Sequence, residues 1–347
     1  MNTDDAYREL AGRLGKPDSA AVLSILNKAM TADEARFVLA LPASNEELAA
    51  GFGRDEQSIQ NTIDGLAQRG LVVTSRKGLR FPRDLGTLHD NILASSPEFI
   101  PEGIGKLWME LYEGGWWQDI VNGLVAYGQP IMRYIPAQKA VPPDVELLPG
   151  ESVKAIIEAH KDLITLRNCC CRVGARYCDH PTLTCIQFGR RAQYDLRRGS
   201  GKQISADEAI ASALASEQSG LMPTVTNMAD VDKLEFICFC CACCCLVINP
   251  LKRAGQLEKG MSPSRFQAQV DEEKCDGCQT CVDRCYFEAI EMQDTYEGPR
   301  AVVDPKTCVG CGLCAISCER GAITLKLIRP PEHIPETLTG PSTVVGT

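Results

Sequence analysis

The chain has 347 residues, a formal net charge of −9 at pH 7 and 44% hydrophobic residues. These values are typical of a folded protein with two or three domains. The acidic balance argues against a general nucleic-acid binder, which needs a basic surface. The 19 cysteines are the unusual feature, and a chain of this length is not a disulfide-stapled miniprotein.

The thiols are expected to be reduced, because the first ten residues, MNTDDAYREL, do not have the pattern of a secretory signal peptide. The most apolar run, residues 236–248, is shorter than the about 20 residues of a membrane span, and six of its 13 residues are cysteine. We therefore predict a cytoplasmic protein without a membrane span, whose cysteines bind metal.

Residues 1–84 are predicted to form a winged-helix-like domain. The segment TADEARFVLALP has apolar residues at helical spacing, and Ser44 with Glu47 forms a capping box for the next helix. A third helix follows, and LVVTSRKGLRF predicts a hairpin with its turn near Lys77-Gly78.

DNA binding is the first function to consider for three helices followed by a hairpin. The third helix, however, begins with Asp55 and Glu56, which would repel phosphates. We therefore expect a docking or packing role for this domain and do not expect DNA as its partner.

Residues 85–168 are predicted to be a helical connecting region. They contain all three tryptophans, Trp108, Trp116 and Trp117, for which packing in a core or interface is the expected role. Beyond the Pro-rich stretch 135–149, ESVKAIIEAHKDLITL predicts one amphipathic helix that leads into the first cysteines.

The strongest motif lies in residues 268–330. A comb of four cysteines with gaps of two, two and three residues begins at Cys275 and recurs 33 residues later at Cys308. The repeat includes more than the thiols, since Gly277 matches Gly310. An internally duplicated unit is therefore predicted.

This spacing places three thiolates of one loop on one iron–sulfur cube and the fourth on the neighbouring cube. Zinc sites use two cysteine pairs instead. Two [4Fe–4S] clusters are predicted, with the ligand sets Cys275, Cys278, Cys281, Cys318 and Cys308, Cys311, Cys314, Cys285.

These residues resemble the bacterial two-cluster ferredoxin domain over about residues 268–328. The resemblance implies a small α+β fold whose clusters are close enough for electron tunnelling. That family usually has Pro after each fourth cysteine, where this chain has Tyr286 and Glu319, which affects the hydrogen bonding that tunes the clusters.

Residues 169–262 are predicted to be an irregular, Cys-rich metal-binding domain with one or two further [4Fe–4S] clusters; zinc is the alternative. The preferred trio is Cys238, Cys241 and Cys244, because its gaps repeat the ferredoxin comb. The fourth ligand is expected from Cys169 or Cys171. A second set would combine Cys169, Cys171, Cys178 and Cys185, and the less favoured thiols are Cys170, Cys240, Cys243 and Cys245.

His180, between two of these cysteines, is a possible ligand, but a structural role is favoured. As a whole the chain resembles a group of 4Fe–4S binding proteins of anaerobes, which join a winged-helix-like start, a Cys-rich middle and a ferredoxin tail. The resemblance implies a multidomain α+β protein with a redox partner. Residues 331–347 are predicted to be a flexible tail.

The leading functional prediction is an electron-transfer protein or subunit that relays low-potential electrons to or from a partner oxidoreductase. No motif for a hydride donor or small-molecule substrate is recognisable, so we expect the partner to carry out the catalysis. Two alternatives remain open: a redox- or iron-sensing regulator that reads DNA through the winged helix, and a reductase whose active site is a central cluster.

Overall fold

The computed structural model describes residues 3–75 and 78–338. The first elements along the chain are α1 (Thr3–Arg13), α2 (Ala20–Ala29), α3 (Ala32–Leu39), α4 (Asn45–Phe52), α5 (Glu56–Gln68), β1 (Val73–Ser75) and β2 (Gly78–Arg80). The capping box of Ser44 and Glu47 begins α4 as predicted. Lys77, in the predicted turn, lies outside the described residues. The assignment to a winged-helix-like domain stays a prediction.

The connecting region continues the N-terminal core. Its helices are α6 (Leu85–Leu93), α7 (Ile104–Leu111) and α8 (Trp117–Ala126). One apolar core extends from Ala6 to Trp116, so the predicted boundary at 84/85 does not separate two cores. Trp108 and Trp116 are buried in it, as expected for packing residues, with ring centroids 5.1 and 5.7 Å from that of His89.

The middle of the chain is a seven-stranded sheet, which corrects the prediction of an irregular domain. Its strand order is β6-β4-β5-β8-β7-β3-β9. The elements are β3 (Met132–Tyr134), α9 (Val153–Ala159), β4 (Ile164–Asn168), α10 (Cys170–Ala175), β5 (Leu183–Phe188), α11 (Gly189–Arg198), β6 (Gly201–Ile204), α12 (Ala206–Gln218), β7 (Met222–Thr226), β8 (Phe236–Cys240), α13 (Ile248–Arg253), α14 (Leu257–Gly260) and β9 (Met261–Ser262).

The two faces of this sheet differ. Side chains alternate along a strand, so Ile186, Ile237 and Phe239 pack on one face against residues of α9 and α12. The opposite face carries Cys185 and Cys238 together with an apolar cluster that includes Met222 and Phe236. The sequence favoured a ligand role for these cysteines over that of small buried residues, and their positions in strands were not predicted.

The predicted helix over residues 151–166 is also corrected. Ser152 caps α9 by accepting a hydrogen bond from Ala155 N at 3.2 Å, and the helix ends at Ala159. Ile164 and Thr165 then belong to β4, because β-branched residues favour a strand buried on both faces.

The C-terminal unit consists of β10 (Phe266–Val270), α15 (Thr280–Arg284), β11 (Ile290–Thr295), β12 (Gly298–Val303), α16 (Leu313–Ser317) and β13 (Ile323–Leu327). The antiparallel pairs are β10 with β13 and β11 with β12. The duplication reappears in the hydrogen bonds: Asp271 N donates to Ala322 O at 2.7 Å, and Asp304 N donates to Ala289 O at 2.8 Å.

The segment predicted as a flexible tail begins with packed residues. Ile334 is 5% exposed, and Pro335 O accepts a hydrogen bond from Ala229 N at 2.8 Å. An apolar side chain therefore fixes this part against the sheet domain, while residues 339–347 lie outside the described residues. Within the described part, no helix has both the length and the apolar composition needed to cross a membrane.

Candidate metal centres

The first predicted ligand set lines one pocket, which we call the outer site. Its four thiols are Cys275, Cys278, Cys281 and Cys318. Cys278 is exposed and Cys281 is buried. Beside them, Arg320 and Asp276 form an ion pair at 2.8 Å. The outer site is thus accessible from solvent through Cys278.

The second predicted set lines another pocket, which we call the inner site. Its four thiols are Cys285, Cys308, Cys311 and Cys314, none of which is exposed. Ala137 N donates to Cys311 O at 2.9 Å, so the connecting region covers this loop. Burial raises the pKa of the Cys311 thiol to about 12.

Both loops have the backbone that such a cavity needs. Gly277 and Gly310 have φ of +77° and +70°. A Cβ at Gly310 would lie 2.1 Å from Phe266 O, and one at Gly277 would lie 2.6 Å from Pro299 O. Only glycine fits this close approach. Four thiols around each cavity fit one [4Fe–4S] cluster per site.

A third group of thiols, which we call the loop group, lies in the middle of the chain. Its members are Cys178, Cys241, Cys243 and Cys244, whose Sγ atoms all lie within 4.8 Å of one another. Cys178 Sγ is 3.7 Å from Cys241 Sγ and 3.6 Å from Cys244 Sγ. Hydrogen bonds from the Cys243 and Cys244 thiols hold the pKa of Cys241 well below its ordinary value.

The loop group differs from the predicted trio. It contains Cys241 and Cys244, but Cys243 takes the place expected for Cys238, and Cys178 takes the place expected for Cys169 or Cys171. The reason is that β8 extends to Cys240 and turns the Cys238 side chain toward the sheet face, whereas the chain leaves the sheet at Cys241.

The remaining thiols form the sheet-face group: Cys169, Cys170, Cys171, Cys185, Cys238, Cys240 and Cys245. Cys185 and Cys238, on neighbouring strands, have Sγ atoms 3.9 Å apart. Cys170 Sγ and Cys171 Sγ lie 3.8 Å apart, and Cys240 Sγ lies 3.4 Å from Thr224 Oγ1. The neighbouring thiols of Cys238 and Cys245 lower the pKa of Cys240 to about 6.

Two buried arginines lie near these thiols, and neither was predicted from the sequence to have this position. Arg172, 2% exposed, donates to Phe239 O at 2.7 Å and lies 4.0 Å from Cys241 Sγ. Arg167 lies 3.0 Å from a carboxylate oxygen of Asp90. Buried cations require anionic partners, and thiolates or the clusters they bind are such partners. The position of Arg172 directly after three cysteines was the sequence feature from which its location near the thiols could have been predicted.

Tyr286 connects the inner site to the middle domain. It follows Cys285 and lines the inner cavity, yet its hydroxyl lies 2.8 Å from His180 Nε2 and donates to Gly220 O at 2.9 Å. Burial and the nearby thiolates of Cys241 and Cys243 raise its pKa. His180 contacts this hydroxyl and is not part of the loop group.

Sequence comparisons agree with the geometry of the C-terminal unit. Residues 258–322 match the family model described as the 4Fe–4S dicluster domain. No curated protein matches the chain. The match begins ten residues before the predicted boundary at 268 and covers every thiol of the outer and inner sites. It supports [4Fe–4S] clusters as the groups bound by this part of the chain.

Proposed function

We propose that this protein is an electron-transfer protein or subunit whose outer and inner sites each hold one [4Fe–4S] cluster. The observation that carries the proposal is the pair of cavities, each lined by four thiols in the register of the duplicated comb. When bound, each cluster accepts and returns one electron. The ligands are Cys275, Cys278, Cys281 and Cys318 at the outer site, and Cys308, Cys311, Cys314 and Cys285 at the inner site.

The partner oxidoreductase exchanges electrons at the outer site. Cys278 is the exposed thiol of the eight, so a docked partner approaches this cluster most closely. The inner site is covered by the connecting region and faces the middle domain through Tyr286. Electrons therefore pass between partner and middle domain in the order outer cluster, inner cluster, thiol-rich sheet face.

The sheet-face group holds a further iron–sulfur cluster. The group contains seven thiols, more than the four that a [4Fe–4S] cluster needs, and two pairs of them, Cys185 with Cys238 and Cys170 with Cys171, have Sγ atoms within 3.9 Å. Gln187 Nε2 also donates to Cys185 Sγ at 2.9 Å. The buried Arg167 lies beside this face, where the carboxylates of Asp90 and Asp195 and then the thiol of Cys185 raise its pKa.

The N-terminal region supports the fold and does not read DNA. Its surface is partly occupied by α11, because Tyr194 Oη donates to Val72 O at 3.1 Å and Arg198 Nη2 contacts Asn91 O and Ser95 Oγ. This packing favours the electron-transfer function over the DNA-reading regulator.

The test uses the full chain purified without oxygen. We expect about eight iron and eight sulfide from the two ferredoxin-type sites and about four of each from the sheet face. A coulometric titration should then count one electron per cluster, and electron paramagnetic resonance of the reduced protein should show two interacting clusters.

The variant Cys278→Ser should lose the outer cluster or alter its signal while the inner cluster persists. Glu319→Gln is the matched control, because Glu319 follows Cys318 but contributes no thiol, and it should keep the iron and electron counts. Zinc bound at the eight C-terminal thiols without sulfide would overturn the proposal.

A further inference from the structure

The distances within the loop group differ from those at the outer and inner sites. The four Sγ atoms of Cys178, Cys241, Cys243 and Cys244 all lie within 4.8 Å of one another, with contacts of 3.6 to 3.7 Å. Among the described residues, no other group of three or more possible ligands is this compact. The Sγ atoms of the outer and inner sites, which we assign to [4Fe–4S] clusters, are therefore farther apart in the same structure.

These distances distinguish two kinds of metal centre. In a [4Fe–4S] cube each thiolate binds its own iron, which spreads the four sulfurs to roughly 6 Å apart. Around one tetrahedral ion with metal–sulfur bonds of about 2.3 Å, the sulfurs lie about 3.8 Å apart. The loop group has the second spacing.

We propose that the loop group binds a single metal ion, Zn²⁺ or Fe²⁺, in a tetrahedral site of four thiolates. Cys241 and Cys244 have the two-residue gap that is common in such sites, and Cys178 is the distant ligand. All four positions around the ion are filled by protein, so the site is closed and holds no substrate.

Neighbouring groups compensate the negative charge of four thiolates around one divalent ion. Arg172 is 2% exposed and donates to Phe239 O at 2.7 Å, which holds its guanidinium beside this loop. Arg172 adds a buried positive charge 4.0 Å from Cys241 Sγ. These contacts stabilise thiolate, the form that binds metal.

The ion joins the connection between α10 and β5 to the connection between β8 and α13. Cys178 lies two residues from His180, whose ring contacts Tyr286 Oη at 2.8 Å. The ion therefore fixes the loop against which the C-terminal unit packs. This role does not depend on electron transfer, so either proposal can fail alone.

Elemental analysis of the full chain tests the site directly. Cubes contribute iron and sulfide in equal numbers, so iron plus zinc should exceed sulfide by one atom per wild-type chain. Zinc in excess identifies Zn²⁺, and iron in excess identifies Fe²⁺. X-ray absorption at the edge of that metal should show four sulfur neighbours at about 2.3 Å.

Cys243→Ser should abolish the excess metal atom and leave sulfide unchanged. Cys278→Ser, the matched control at a cube, should change iron and sulfide only in equal numbers and keep the excess. Equal metal and sulfide in the wild type, or loss of iron and sulfide in equal numbers from Cys243→Ser, would overturn the proposal. The wild-type measurement decides the matter even where a variant fails to fold.

Discussion

Replacing Gly310 with alanine should remove the inner cluster. Gly310 lies between Cys308 and Cys311 with φ of +70°, where an L-residue costs about 1–2 kcal/mol. The added Cβ would lie 2.1 Å from Phe266 O and 2.3 Å from Ser264 Oγ. The loop must therefore retreat by more than 1 Å, which costs a further 1–3 kcal/mol or so.

That retreat also breaks the hydrogen bond that Ser264 Oγ donates to Gly310 O at 2.7 Å, worth about 1 kcal/mol. The total destabilisation is roughly 3–6 kcal/mol, and it arises in the loop that holds the two cluster ligands Cys308 and Cys311. Gly321→Ala is the control, because Gly321 has φ of +61° but open space around its Cα, so it should cost only about 1–2 kcal/mol.

Iron and sulfide per chain and the thermal unfolding midpoint measure the difference. Gly310→Ala should lose about four iron and four sulfide and unfold at a lower temperature than Gly321→Ala. If both variants keep the wild-type metal content and unfold together, the close approach described here does not constrain the inner site.

Three further predictions concern other parts of the chain. Tyr286→Phe removes the hydroxyl that contacts His180 and Gly220. The variant should keep the iron content, lower stability by about 1–3 kcal/mol and slow electron exchange between the inner cluster and the middle domain, as measured by rapid-mixing spectroscopy. Unchanged exchange rates would exclude this contact from the route. Burial lowers the pKa of His89 from 6.5 to about 4, so between these pH values the unfolded chain binds a proton that the folded chain does not, and stability falls as pH falls. From pH 8 to 5.5 the unfolding free energy of the wild type should drop by about 1 kcal/mol more than that of His89→Phe. Parallel pH profiles of the two proteins in denaturant titrations would contradict this. Finally, because Asp55 and Glu56 begin α5, the full chain should show no sequence-specific DNA binding at physiological salt, and a nanomolar footprint would reverse that expectation.

Local patterns were predicted well because neighbouring residues determine them. In each comb, which begins at Cys275 or at Cys308, the first three cysteines lie on one loop. With the fourth cysteine of the other comb they line one pocket. The capping box at Ser44 is equally local, since it closes within four residues.

The middle domain was harder to predict because its contacts connect distant parts of the chain. Cys178 and Cys241 are separated by 63 residues and meet only after the sheet has formed. The run at 236–245 was also ambiguous, because cysteine serves both as a ligand and as a small buried residue of a strand. Alternation along β8 then assigns Cys238 and Cys241 to different sites.

The duplicated C-terminal unit has unequal surroundings for its two halves. Cys278 of the first half is exposed, whereas its counterpart Cys311 is covered by the connecting region. A reduced cluster carries one more negative charge than an oxidised one, and a covered environment disfavours that charge. We therefore expect the cluster of the first half to have the higher reduction potential. A single electron stored on the two clusters would then reside mainly at the exposed end of the duplicated unit.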